Sequence, residues 1–215
     1  AKDVAAEFTN GRPNDNIGIT LFAGETFTQC PLTVDHAVLL DMIHNIKCGL
    51  IEDGTAVGMG VANAVTRLKD SKAKSKVIIL LTDGTNNKGD ISPLTAAEIA
   101  KSFGIRVYTI GVGTNGMAPY PYPVGNTVQY INMPVEIDEK TLTQIAGTTD
   151  GNYFRATSNS KLKEVYEEID KLEKTKLNVK EYSKREEDYR WFALAAFLCV
   201  LLEVLLRNSI LKKIP

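Results

Sequence analysis

Five large aliphatic residues in a row, Val77-Ile-Ile-Leu-Leu81, run into Thr82-Asp83-Gly84, and no other feature constrains the fold of this chain as strongly. A strand with no polar alternation is buried on both faces, as a central strand of a parallel sheet is. A second run, Arg106-Val-Tyr-Thr-Ile-Gly-Val112, follows a polar loop to Ser92-Pro93 and a helical stretch to Phe103. Strand, helix and strand at this spacing make a βαβ unit. The expected class is α/β, with a doubly wound, mostly parallel sheet.

The flanking segments extend that pattern. Residues 3–10 read as the end of an amphipathic helix, closed by the turn Asn10-Gly-Arg-Pro-Asn-Asp15. Ile17-Gly-Ile-Thr-Leu-Phe22 has strand length, and Glu25-Thr-Phe-Thr-Gln-Cys30 alternates like an edge strand. Pro31-Leu-Thr33 opens a helix, with Thr33 as its expected N-cap. Val57, Val61, Ala64, Val65 and Leu68 form one apolar helical stripe. Gly113 to Glu136 reads as a long irregular insert containing Tyr120-Pro-Tyr-Pro123. Asp138 caps a short helix, Gly151–Arg155 is a last short strand, and Leu162, Val165, Tyr166, Ile169 and Leu172 mark a closing helix.

Composition excludes several classes of function. The chain has 25 Lys+Arg against 26 Asp+Glu, so it lacks the basic balance that nucleic acid requires. Cys30, Cys48 and Cys199 fit no zinc spacing, although Cys30 and Cys48 flank one helix and either a disulfide or two free thiols suits them. His36 and His44 have no acidic or cysteine partner in register and read as surface residues. No Ser/His/Asp or Cys/His order appears. Gly111-Val-Gly-Thr-Asn-Gly116 follows a strand but enters a proline-rich loop instead of a helix, so the dinucleotide reading lacks its context. Asp83-Gly-Thr-Asn-Asn-Lys-Gly-Asp90 lacks the alternating ligands and terminal Glu of a calcium loop. The expectation is that the chain is not an enzyme.

Asp83 ends the strongest strand, where open α/β sheets bind ligands, and Glu52-Asp-Gly-Thr55 offers a hydroxyl from another loop. Carboxylate and hydroxyl oxygens suit Mg²⁺, Mn²⁺ or Ca²⁺ over zinc. The bland alternative is that Asp83 only terminates its strand.

These residues carry a resemblance. Leu80-Leu-Thr-Asp-Gly84, Asp53-Gly-Thr55 before a helix, and Thr109-Ile-Gly-Val-Gly113 resemble a von Willebrand factor type A domain over about residues 1–174. Phe22-Ala-Gly-Glu25, Gln29-Cys-Pro-Leu-Thr33 and Met133-Pro-Val-Glu136 resemble the Bat (Bacteroides aerotolerance) membrane proteins more narrowly. The resemblance implies a metal-ion-dependent adhesion site in which Thr55 and Asp83 match the family's lone Thr and lone Asp. Asn86, Asn87, Tyr120 and Tyr122 would form the partner-binding rim. The family's Asp-x-Ser-x-Ser loop occurs nowhere in the 215 residues. In the family that loop follows a mid-sheet strand just upstream of the helix on which this chain opens. The expectation is therefore an N-terminally truncated domain, with two buried strands lacking a ladder partner, weak or absent metal binding, and a tendency to aggregate.

The C-terminal end changes character. Residues 161–190 carry nine acidic and nine basic side chains, and the 16 residues Trp191–Leu206 are apolar except for Glu203. Two readings stay open: a membrane-spanning helix, with Glu203 marking a helix–helix contact, and an interfacial or buried helix. With the resemblance, insertion is expected. The layout is a domain at 1–174, a charged stem at 175–188, a transmembrane anchor at 189–211 and a basic tail at 212–215. Seven Lys and Arg in 171–190 against three after the apolar stretch point to a cytoplasmic domain. The resemblance implies the reverse: a periplasmic domain on a bacterial inner membrane. It also implies a protein-binding module working with other Bat-type proteins and a MoxR-type AAA+ ATPase. The rival readings are a metal-free structural module and a Mg²⁺-dependent phosphate or nucleotide enzyme.

Overall fold

The computed structural model of the protein describes residues 1–47, 49, 51–113, 116–124, 127–135, 137–183 and 189–209. The chain divides into two compact units, Ala1–Glu173 and Lys174–Pro215.

The first unit is α/β. The aliphatic run forms β3 (Lys76–Thr82), and the second run forms β4 (Ile105–Val112). They pair in parallel from Lys76↔Ile105 to Thr82↔Gly111, and β7 (Tyr153–Ala156) pairs in parallel with β4. Alternation along β4 assigns each face to a different core. Ile105 and Val107, with Ile78 and Leu80 of β3, pack under α3 (Val57–Leu68), α4 (Pro93–Ser102) and α5 (Glu139–Thr148). Tyr108 and Ile110 pack on the opposite side against α1 (Lys2–Asn10) and the start of α6 (Asn159–Ser183). Each fully buried side chain of this size contributes about 1.5–3 kcal/mol. On that second face Val77, Ile79 and Leu81 are only partly buried, so β3 is less enclosed than its run of aliphatics predicts.

A separate antiparallel pair, β1 (Ile17–Phe22) and β2 (Thr26–Thr33), packs its own cluster of Cys30, Leu39 and Ile43 beneath α2 (His36–His44). Here the expected N-cap is displaced. Thr33 belongs to β2 and its hydroxyl accepts the Asp35 N–H, while Asp35 caps α2 by accepting from the Ala37 and Val38 N–H groups. The carboxylate of Asp35 reaches two orphan donors, so it takes the cap. Lys2 closes the other end of α2, donating to the His44 and Ile46 carbonyls at 3.0 and 2.9 Å.

Among the described residues, β1 pairs only with β2 and β3 only with β4, so each of them keeps one edge without a ladder. Helix α3 packs against β1, β2 and β3 alike.

Two expectations need correction. The insert at 113–136 is not irregular: β5 (Gly116–Val124) and β6 (Thr127–Val135) form an antiparallel hairpin, paired residue by residue from Gly116↔Val135 to Val124↔Thr127. In the second unit, α7 (Tyr189–Ser209) covers most of the expected anchor, with Leu194, Phe197, Leu198, Val200, Leu201, Leu202, Val204 and Leu206 exposed. Yet among the described residues no helix is long and apolar enough to cross a membrane. Glu203 and Arg207 fall inside the 21 residues of α7 and shorten its uninterrupted apolar length. The basic tail, 212–215, lies outside the described residues, as does the junction between α6 and α7, 184–188.

Candidate functional site

Three loops meet at the carboxyl edge of the sheet. The Thr82 hydroxyl accepts the Gly84 N–H at 3.3 Å and turns the chain directly after β3, leaving Asp83 exposed. The loop before α3 is pinned to the β1–β2 turn, with Gly24 N–H donating to Glu52 O and Ala56 N–H to Ala23 O, both at 2.7 Å. That approach requires glycine at 24, because a Cβ there would stand 2.9 Å from Glu52 O.

The loops carrying Thr55 and Asp83 are tied together. The Thr55 N–H donates to Asn87 Oδ1 at 2.8 Å, and the Asn87 N–H returns a bond to Thr55 O at 3.0 Å. Asn86 Oδ1 accepts the Gly58 N–H at 3.4 Å, serving the first turn of α3, whose N-cap Ala56 has no side chain to do so. Gly58 itself lies so close to the Ile91 carbonyl that a Cβ would stand 2.0 Å from it. A Cβ on Gly84 would lie 3.3 Å from Thr55 Oγ1, so the Thr55 hydroxyl sits directly against the turn that carries Asp83.

The loops that carry Thr55 and Asp83 are therefore brought together. Among the described residues nothing engages the Asp83 carboxylate or the Thr55 hydroxyl, so both oxygens are available. Asn86 and Asn87 stand beside them with their side-chain carbonyls committed to the loop ties. Tyr120 and Tyr122 lie on β5, opposite Ile131 and Gln129. The hairpin springs from the same edge: Gly113 N–H bonds Ala156 O at 2.9 Å at its base, and Ile137 returns buried into the core. Two oxygen donors suit a hard divalent cation but fall short of the six or so that Mg²⁺ or Ca²⁺ takes. Among the described residues no group of three or more His, Cys, Asp or Glu stands close enough to hold a metal. Cys48 lies outside the described residues, and Cys30 is buried, its thiol pushed up by that burial.

A second polar cluster escaped the sequence reading. Glu173, 5% exposed, accepts from Arg106 Nε at 2.8 Å, from the Tyr108 hydroxyl at 2.6 Å and from the Ser75 hydroxyl at 2.8 Å. Arg106 Nη2 also donates to Ser75 Oγ at 2.7 Å. Burial alone would raise the Glu173 carboxyl, but these three donors outweigh it and hold it below the ordinary range. Burial and the Glu173 bond push the Tyr108 hydroxyl up. Periodicity puts Glu173 on the buried stripe of Leu162, Val165, Tyr166 and Ile169, but nothing in the sequence pairs it with Arg106 near the start of β4.

Comparison with known proteins agrees with this architecture. BatB from Bacteroides thetaiotaomicron is 31% identical with a TM-score of 0.69, covering 80% of this chain and 86% of that one. An aerotolerance-related membrane protein from Bacteroides fragilis is 28% identical with a TM-score of 0.66, covering 79% and 84%. Proximal thread matrix protein 1 from the mussel byssus, with a zinc-occupied MIDAS motif, is 25% identical with a TM-score of 0.61, covering 80% of this chain and 39% of that one. An uncharacterised protein of Borreliella burgdorferi is 25% identical over all 215 residues, and this chain spans 63% of its length. The chain spans half the length of a UPF0353 protein of Mycolicibacterium paratuberculosis, to which it is 28% identical. The profile of the von Willebrand factor type A domain matches residues 1–168, and the chain belongs to that family.

Proposed function

We propose that this chain is a protein-interaction module, not an enzyme, that engages its partner through a divalent cation held at Thr55 and Asp83. One observation carries the reading: the Thr55 hydroxyl, engaged by no described residue, sits against the Gly84 turn that follows exposed Asp83, on the carboxyl edge of a parallel sheet. A MIDAS motif that holds zinc in a relative supports it. Mg²⁺, with Mn²⁺ or Ca²⁺ as substitutes, fits the oxygen donors best. Thr55 offers its hydroxyl, Asp83 its carboxylate, and a carboxylate from the partner completes the sphere. Asn86, Asn87, Tyr120 and Tyr122 form the rim around it.

The remaining ligands come, in this reading, from an extended strand lying between the unpaired edges of β1 and β3 and ending in an Asp-x-Ser-x-Ser loop beside Asp83. Without it the chain holds metal weakly or not at all. The proposed setting is a bacterial inner membrane, with the domain on the periplasmic side, α7 as the membrane attachment, and other Bat-type proteins with a MoxR-type AAA+ ATPase as partners. The likeness to an aerotolerance-related membrane protein supports that setting.

The test is calorimetric titration of Mg²⁺ into this chain joined at its N-terminus to such a strand and loop. Saturable binding that Asp83→Ala weakens at least tenfold is expected. Failure to bind, or binding indifferent to Asp83→Ala, would leave the metal-free structural module, a reading the metal-independent Asn87–Thr55 tie favours.

A further inference from the structure

The β5–β6 hairpin is built so that only one of its edges can accept another strand. Its register sets Pro119 opposite Asn132, Pro121 opposite Tyr130 and Pro123 opposite Val128, with Pro134 opposite Met117. Proline has no N–H, so a pair that includes proline cannot exchange two ladder bonds. The hydrogen-bonded pairs must then be Ala118–Met133, Tyr120–Ile131, Tyr122–Gln129 and Val124–Thr127, and the backbone nitrogen of every proline lies on an outer edge. The outer edge of β5 offers no donor at 119, 121 or 123. The outer edge of β6 offers the N–H groups of Val128, Tyr130 and Asn132.

Other features bear on what pairs with that edge. The hairpin sequence, residues 116–135, contains no Asp, Glu, Lys or Arg. The charges that normally protect an edge strand are absent, and no like-charge repulsion opposes the approach of an identical strand. Among the described residues no other element packs extensively on the hairpin, and Tyr130 is 72% exposed. A two-stranded ribbon alone is marginal in water and gains stability from further strands.

We propose that β6 pairs with β6 of a second copy of this chain, antiparallel about a two-fold axis at Tyr130. Tyr130 then faces Tyr130 of the second copy, and Val128 faces Asn132 in both directions. This self-complementary arrangement satisfies the three outward donors of each strand. The product is a four-stranded sheet whose two outer edges are both β5, blocked by proline, so association stops at the dimer. Because the hairpin rises from the edge that carries Thr55 and Asp83, the dimer joins two such edges in one assembly.

Sedimentation velocity of the full chain in detergent micelles tests this. The wild type is expected as a concentration-dependent dimer. Tyr130→Pro removes the central donor without touching a bond inside the hairpin, and weakens the dimer at least tenfold; Asn132→Pro acts in the same direction. Pro121→Thr restores a donor to the blocked edge and yields species larger than a dimer. A wild type that stays monomeric throughout, including one that pairs only with a different protein, would overturn the proposal. So would a dimer indifferent to Tyr130→Pro.

Discussion

Glu173 shows how a single carboxylate can hold two elements together. It joins the α6 stripe to Arg106 and Tyr108 of β4 and to Ser75, and its charge is stabilised despite burial. Glu173→Gln keeps the shape but leaves the Arg106 guanidinium without its counter-charge, at a cost of about 3 kcal/mol in denaturant unfolding. The pH dependence follows from the lowered carboxyl. The unfolded chain binds the proton first, so this stability is complete above the ordinary glutamate value of 4.5 and drains away as pH falls through the depressed folded value. Acid unfolding of the Gln variant should be correspondingly shallower than that of the wild type. At the candidate site, Asn87→Ala removes the acceptor of the Thr55 N–H and should cost about 1 kcal/mol, with faster hydrogen exchange at Thr55. Residue types exposed part of this in advance: the loop positions of Thr55 and Asp83 were legible because each ends a recognisable pattern. The Asn ties and the Glu173 cluster were not, since each depends on partners up to 98 positions apart.

At the scale of elements, the buried strands β3 and β4 and the helices between them were readable from periodicity alone, since one face or both must leave water. Caps were readable only where a single candidate was present. Asp138 caps α5 as its position predicts and Ser92 caps α4, whereas Thr33 and Asp35 compete and the carboxylate wins. The hairpin was hidden because alternate prolines signal a loop, and only the register reveals that their missing N–H groups all fall on outer edges. Helix α7 presents eight exposed large apolar side chains, more than a helix left in water would carry. The full chain should float with phospholipid vesicles in a density gradient, and deletion of 189–215 should leave the remainder at the bottom. A deletion variant that still floats would shift the membrane contact to another part of the chain.

Among the described residues of the first unit, two of the three sheets, β1–β2 and β3–β4–β7, pack under shared helices. Helix α3 packs on both, and α1 reaches from the α2 end to the core under Tyr108, yet among the described residues β1 and β3 each keep one edge without a strand partner. Buried backbone without ladder bonds is costly, so thermal unfolding of the chain alone should be broad and accompanied by aggregation. This division was only half visible in sequence: periodicity finds strands but not which of them pair. A strand placed between these edges would convert two ladders into one sheet and bring metal ligands to Asp83. The most direct test is amide hydrogen exchange of the chain with and without a synthetic peptide bearing an apolar strand that ends in Asp-x-Ser-x-Ser, in Mg²⁺. The account predicts slowed exchange along both β1 and β3 on peptide addition, with further slowing at the Asp83 turn that requires Mg²⁺ and is lost in Asp83→Ala. Strands β1 and β3 already fully protected, and unchanged by the peptide, would contradict it.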